Sequence, residues 1–353
     1  MRSRRPGSRV RPGRKRVRSR SAAVWACYIS VALLALCSFA FAARPFGLAA
    51  VTVLPVWFWW LIGLGLVAAA WQAVGRAALP LFALWMVYLV AFAEEPRSLG
   101  RTLLPAPRPE KLIRVVSLNC AVANHDAAAE ALLSNPDVVL YQESPGPRGL
   151  QEVSRLLFGR SIVRVGEFGN AILARGSMVD SKQPLAVRST LTRARVRLEA
   201  GPEVELVSLR LTPAETRLDY WNPVCWLEHS RNRRARDAEM AAVAAYLSTV
   251  PPDVPVILGG DFNVPQGDGI FRRLRPRLRD AFREGGRGWG NTFLNSFPIL
   301  RIDQVWTSAH FRAISVRAKM TAHSDHRMVI CELETVRAGE AGRVAPPAAR
   351  APD

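Results

Sequence analysis

Residues 1–93 contain no aspartate and no glutamate; all 29 acids of the 353-residue chain lie from Glu94 onward. The basic residues are as uneven. Ten Lys/Arg fall in the first twenty residues, and residues 21–93 add only Arg44 and Arg76. This distribution divides the chain into a cationic tail, apolar segments and a water-facing domain. Ser21–Ala43 is uncharged and long enough to cross a bilayer, about 20 residues of helix being sufficient. Phe46–Gln72 is longer and holds Trp57, Trp59, Trp60 and Trp71, which suit a membrane–water interface. Ala77–Ala93 is shorter but still sufficient. A cleaved signal peptide competes for the first stretch; the long basic region and the two later apolar stretches favour uncleaved helices.

The positive-inside rule sets the orientation. The Arg-rich tail is cytoplasmic, Arg44-Pro45 lies outside, Arg76 marks an inside loop, and Glu94-Glu95 emerge outside. Three spans place the catalytic region on the extracytoplasmic face; two would leave it cytoplasmic. The formal net charge of +19 mostly reports the tail, since 36 basic residues against 29 acids leave about +7 from residue 94 onward. Five cysteines without Cys-x-x-Cys or zinc spacing form no disulfide framework and no zinc site.

The expected organisation is a basic disordered tail (1–20), two or three transmembrane helices (21–93), an extended Pro-rich linker (94–110), a catalytic domain (111–335) and a disordered tail (336–353). Within the domain, Leu112–Asn119, Val138–Tyr141, Gly169–Ala174, Leu185–Leu198, Val204–Leu211, Val254–Leu258, Ile302–Thr307, Ile314–Val316 and Met328–Leu333 read as strands. Ala127–Leu133, capped by Asp126, and Arg234–Leu247 read as helices. Residues 213–234, which carry Trp221, Trp226 and His229, read as a loop: either a basic-aromatic substrate rim or a segment packed on the body.

Five fragments carry chemistry: Ser-Leu-Asn (117–119), Tyr-Gln-Glu (141–143), Gly-Gly-Asp-Phe-Asn (259–263), Arg-Ile-Asp-Gln-Val (301–305) and Ser-Asp-His-Arg (324–327). Each follows or interrupts a strand-like stretch. Glu143 ends a buried strand, where a carboxylate needs a partner or a metal. Asn119, on a neighbouring strand end, reaches the same cation, and Asp325 approaches it from beside His326. Asp261 suits a general base or water-orienting group, and Asn263 a donor to a phosphate oxygen. His326 suits contact with the phosphate as cation or general acid, with Asp303 on its other ring nitrogen. A hard divalent cation and these groups together suit hydrolysis of a phosphoric ester.

In this order and spacing the fragments resemble the endonuclease/exonuclease/phosphatase (DNase I-like) superfamily, over about residues 111–335. Gly-Asp-Phe-Asn with a later Ser-Asp-His is the specific part. The resemblance implies a four-layer α/β sandwich of two packed mixed β-sheets flanked by helices, here preceded by transmembrane helices. It implies Mg²⁺, with Mn²⁺ as substitute. It assigns metal roles to Asn119, Glu143 and Asp325, and catalytic roles to Asp261, Asn263, Asp303 and His326. One departure stands out: many members have a histidine where this chain has Arg210, which is expected to bind substrate or to form an ion pair with a nearby carboxylate. The layout is similar to that of bacterial membrane members of the superfamily.

The leading expectation is an integral protein of the bacterial cell membrane that hydrolyses lipid-linked or envelope phosphate esters with Mg²⁺. A Mg²⁺-dependent nuclease is the second reading, and a non-catalytic membrane binding protein the third.

Overall fold

The computed structural model describes residues 13–336 apart from 106–110, 158–161, 167, 200 and 276. The tails at 1–12 and 337–353 therefore lie outside the described residues. Two compact units result: residues 1–44 with 54–93, and residues 45–53 with 94–353.

The first unit consists of apolar helices. Helix α1 runs Gly13–Ala43, so residues 13–20 of the expected disordered tail are helical. The second apolar stretch is not one helix. It holds a short helix α2 (Ala49–Thr52) and then α3 (Val56–Val74), with Phe46–Thr52 and Val56–Trp71 bent by 74°. Pro55 is the cause: it has no amide hydrogen, and its ring disfavours helical backbone at Leu54. Helix α4 covers Leu79–Phe92. Ser21–Ala43 and Gly75–Phe92 are long and apolar enough to cross a membrane, and the bent pair is a third candidate. Close packing is built in. Trp85 of α4 donates from Nε1 to Ser30 Oγ of α1 at 2.9 Å, and a Cβ on Gly63 of α3 would fall 2.1 Å from the Trp85 ring.

The second unit takes in Pro45–Val53 and then resumes at Glu94, not at Lys111. The stretch expected as an extended linker contains helix α5 (Glu95–Thr102). Buried Arg301 pairs with Glu94 at 2.7 Å and Asp280 at 2.6 Å, and Arg101 Nη1 donates to the Gly286 carbonyl at 3.2 Å. These partners are distant in sequence, so composition alone reads as linker.

The rest of the unit alternates strands and helices. In chain order they are β1 (Ile113–Asn119), α6 (His125–Glu130), β2 (Val138–Pro145), α7 (Gly146–Leu157), β3 (Ile162–Gly166), β4 (Phe168–Asp180), β5 (Leu191–Leu198), β6 (Glu203–Arg210), α8 (Pro223–Thr249), β7 (Val256–Asp261), β8 (Leu278–Asp280), α9 (Ala281–Gly285), β9 (Asp303–Ser308), β10 (Phe311–Lys319) and β11 (Met328–Thr335). The strand order is β10-β11-β1-β2-β4-β5-β6-β7-β9-β8, with β3 also on β4. The two expected sheets are thus halves of one curled sheet. Strand β4 joins them: Phe168–Ala174 pairs with β2, and from Gly176 onward it pairs with β5. Gly176 has φ +150°, and a Cβ there would lie 2.2 Å from the Arg197 carbonyl oxygen, so the crossing needs glycine.

Alternation then makes four layers. Val115, Leu140, Ile172, Leu206, Ile257 and Val305 fill the space between the sheet halves. Val116, Tyr141 and Leu173 face outward onto Ala127, Leu150 and Val153 of α6 and α7. Val207, Leu258 and Trp306 face outward onto Met240, Val243 and Leu247 of α8.

Three local expectations need correction. Helix α6 is capped by Asn124, whose side chain accepts from the Asp126 and Ala127 amides, not by Asp126. Residues Leu185–Val187 form a 3₁₀ turn, so β5 starts only at Leu191. Helix α8 starts at Pro223, eleven residues before Arg234, because Asn222 caps it and Pro223 suits the first turn. His229 is thus a buried helix residue whose Nε2 lies 2.7 Å from the Arg217 carbonyl oxygen.

Candidate active site

Every sequence-derived site residue lies at one end of the sandwich. Asn119, Glu143, Arg210, Asp261, Asn263, Asp325 and His326 line one cavity of about 230 Å³. Asp303 sits behind His326, its Oδ2 2.8 Å from the ring Nδ1.

Register brings them together. Arg210 on β6 is paired with Asp261 on parallel β7, and Asp261 is paired with Asp303 on antiparallel β9. Gly260 has φ +155°, and a Cβ there would lie 1.9 Å from the Leu209 carbonyl oxygen. Glycine is required so that β6 and β7 stay paired up to the carboxylate. Glu143 sits in a register shift between β2 and β4 with φ 48°, so a bulge turns its side chain into the cleft. Asn263 has φ 50°, a left-handed conformation that asparagine tolerates better than most residues.

The hydrogen bonds define the groups' states. Asn119 Nδ2 donates to Glu143 Oε1 and to Asp261 Oδ2, both at 3.1 Å, and so ties the two carboxylates together. Asn263 donates from its backbone to Asp261 Oδ1 at 2.9 Å and from Nδ2 to Asp261 Oδ2 at 3.1 Å and the Leu211 carbonyl at 3.0 Å. Its Nδ2 donors therefore hold Asp261 and the Leu211 carbonyl here. Arg210 Nη2 pairs with Glu143 Oε1 at 2.8 Å, and its Nε lies 4.0 Å from Asp261 Oδ2. That buried Nε has no hydrogen-bond partner among the described residues.

Electrostatics separate the roles. Burial, with Asp303 nearby, pushes the Asp261 carboxyl up to about 7. Burial disfavours the charged form of His326, but the Asp303 carboxylate outweighs it and raises the imidazole to about 10. Burial would raise Glu143 too, yet the Val122 amide, the Asn119 amide and Arg210 hold it below its ordinary value. At neutral pH the cleft thus holds an imidazolium, an ionised glutamate and an aspartate near its midpoint.

The donor set suits a hard divalent cation. Oxygen ligands dominate, and one atom each of Asp261, Asp303 and His326 lies within 4.8 Å of the others. Asp303 Oδ1 is buried without a hydrogen-bond partner among the described residues, an oxygen left for a cation or a proton. Asp325 is exposed at the cleft edge.

Three supporting residues had no assigned role in the sequence. Ser324 Oγ donates to the Asn119 carbonyl at 2.7 Å and accepts from the His326 amide at 3.0 Å, binding two of the fragments together. Gln142 Nε2 donates to Ser208 Oγ at 3.0 Å, linking β2 to β6. Thr292 Oγ1 accepts from the Asp303 amide at 3.2 Å. Ser324 and Gln142 lie inside recognised fragments, so their position was a signal; Thr292 had none.

Comparison with known proteins agrees. Residues 116–326, more than half of the chain, match the Endonuclease/Exonuclease/phosphatase family. A crystal structure of an endonuclease/exonuclease/phosphatase family protein from Bacteroides thetaiotaomicron is similar, with 18% identity, 64% of this chain and 98% of the other covered, and a TM-score of 0.51. The mannosyl-6-phosphatase of Bacteroides thetaiotaomicron VPI-5482 aligns at 18% identity over 63% of this chain and 99% of its own, with a TM-score of 0.51. TDP2 of D. rerio in complex with a single-strand DNA product aligns at 17% identity over 64% and 100%, with a TM-score of 0.50. No protein in the curated set matches. The sandwich, the converged fragments and the family match lead to one conclusion: this chain belongs to the endonuclease/exonuclease/phosphatase family, whose members are hydrolases acting on phosphoester bonds.

Proposed function

We propose that the chain is a membrane-anchored, Mg²⁺-dependent phosphoric-ester hydrolase acting on lipid-linked or envelope phosphates. The observation that carries the hydrolase reading is the convergence of Glu143, Asp261 and the Asp303–His326 pair in one cleft. A divalent cation bound by Glu143, Asn119 and Asp325 would neutralise phosphoryl charge and stabilise the leaving oxygen. Asp261, near its midpoint, orients water and takes its proton. His326 keeps Nδ1 on Asp303, which leaves Nε2 to meet a phosphate oxygen as a charged donor. Arg210 brings to the same place a buried Nε that makes no hydrogen bond among the described residues, suited to gripping an anionic oxygen.

Chain connectivity supports the membrane arrangement. Pro45–Val53 and Glu94 onward are parts of one compact unit. A crossing by each of the three apolar segments would bring the chain, by Glu94, back to the face it reached after α1. Helix α3, 19 residues and ~28 Å long at 1.5 Å per residue, is long enough for a crossing that α4 reverses. With the Arg-rich tail cytoplasmic, the hydrolase unit is extracytoplasmic. Anchoring raises the effective concentration of membrane-borne substrates.

The test is a panel on the full chain in lipid vesicles with Mg²⁺, Mn²⁺ or chelator. Lipid phosphates, soluble aryl mono- and diesters and DNA are the substrates. Cation-dependent release of lipid phosphate is expected. DNA cleavage exceeding lipid turnover would move the substrate to nucleic acid, and no turnover of any ester would end the hydrolase reading.

A further inference from the structure

The cleft lining is part polar and part apolar: Val53, Phe293, Leu300 and Ile302 line it together with the carboxylates and His326, and the Phe293 ring meets the His326 ring edge-on at 5.4 Å. Val53 does not come from the sandwich. It ends the Pro45–Val53 strap, which belongs to the same compact unit. Tyr220 Oη donates to the Ala50 carbonyl at 3.2 Å, and Arg233 Nη1 donates to the Pro45 carbonyl at 3.1 Å. The guanidinium carbons of Arg233 and Arg234 lie 5.3 and 5.0 Å from the Phe46 ring centre.

Both ends of the strap run straight into apolar helices: α1 ends at Ala43 and α3 begins at Val56. Large apolar side chains are exposed on the loops that continue from the cleft lining. Trp221 (86% exposed) and Leu218 follow Pro213–Thr216; Leu294 and Phe297 (73% exposed) fall between Phe293 and Leu300. Arg231 and Arg234, beside the strap on α8, are exposed as well. Large apolar side chains exposed on two loops that both adjoin one cleft suit an interaction surface, and the exposed arginines complement anionic headgroups.

We propose that these two loops dock into the bilayer surface, so that the cleft takes its phosphate ester from a lipid whose chain lies along the Val53–Phe293 wall. Tryptophan suits that depth, with an apolar body and a polar edge. The proposal rests on the hydrolase reading for its chemistry, but the docking is separable from it.

Two measurements on the full chain in anionic vesicles test it. First, nitroxide labels go on Leu218→Cys and Phe297→Cys in a Cys27→Ala background, the other four cysteines being buried. Paramagnetic-relaxation accessibility is expected to favour oxygen over a water-soluble nickel complex at both sites. Labels that stay aqueous overturn the docking; labels that become immobile only on addition of single-stranded DNA, or only as protein concentration rises, reassign the surface to nucleic acid or to a second copy. Second, the Leu218→Ser, Trp221→Ser, Phe297→Ser triple variant is expected to keep its turnover of a soluble aryl phosphate within about twofold while losing at least about tenfold on lipid phosphate. Equal lipid turnover by variant and wild type overturns the proposal. A wild type inactive on every ester defeats the hydrolase reading instead, and the labels still decide the docking.

Discussion

Two carboxylate–cation pairs flank Asp261, and they are built differently. In Asp303–His326 the side chains are 0% and 7% exposed; in Glu143–Arg210 they are 19% and 34% exposed. The first pair is locked. Asp303 is held by strand β9, His326 by Ser324, and Thr321 Oγ1 donates to the His326 carbonyl at 2.7 Å. The second is open to the cleft, and its arginine keeps one donor without a partner. A buried charge whose partner is removed is left uncompensated, whereas a half-exposed one recovers water. The comparison therefore assigns the permanent pair to proton chemistry and the exchangeable pair to ligands that enter and leave.

The largest effect is expected at the locked pair. His326→Ala should lower kcat at least about a hundredfold, as should Asp261→Ala. A smaller loss at His326 than at Arg210 would break the comparison. Next, Arg210→Gln should raise KM about tenfold, or ~1.4 kcal/mol of lost phosphate binding. Titration calorimetry should show tighter divalent-cation binding in the same variant, because Glu143 loses a competing cation. Weaker cation binding would mean that Arg210 holds the site open.

A third effect is on pH. His326 is raised from 6.5 to about 10, and Asp261 from 3.8 to about 7. Both folded values exceed the unfolded ones, so each group's contribution to stability is complete below its unfolded value and is lost as pH rises through the folded value. The cation-free protein should lose Tm between pH 3.8 and about 7 through Asp261 and between pH 6.5 and about 10 through His326, and Asp303→Asn should flatten the upper decline. An unchanged profile in the variant would show that Asp303 does not set the His326 charge. The smallest effect lies at a more exposed pair far from the cleft, where Arg312 is 52% and Glu334 27% exposed. Arg312→Ala breaks a surface pair with Glu334 and should change stability by less than ~0.5 kcal/mol in denaturant titration.

Much of the site was legible beforehand because its chemistry is local in sequence. Asp303 between Ile302 and Gln304-Val305 is an acid within an apolar strand, and such a residue needs a partner. The Gly-Gly-Asp-Phe-Asn turn carries its geometry in its glycines. Other features were illegible for the opposite reason. The start of α8 depends on one Asn222 side chain that accepts from the Val224 amide, so a helical segment read as a loop. Glu95–Thr102 read as linker because Arg301, which pins the neighbouring Glu94, lies 207 positions away. The 74° bend within Phe46–Gln72 went unread because uniform apolar composition hides a break that Pro55 alone marks.

By itself the sequence determined the division into apolar helices and a charged α/β domain, and the family chemistry of that domain. Periodicity, strand-end acids and glycine turns are properties of short segments, and short segments are what a sequence records. Only the tertiary structure decided that Arg210 sits on Glu143, that Asn263 supports Asp261, and that Val53 lines the cleft. Those facts depend on which side chains meet after the chain has folded back across hundreds of residues, where distance and burial, not order along the chain, set the energy.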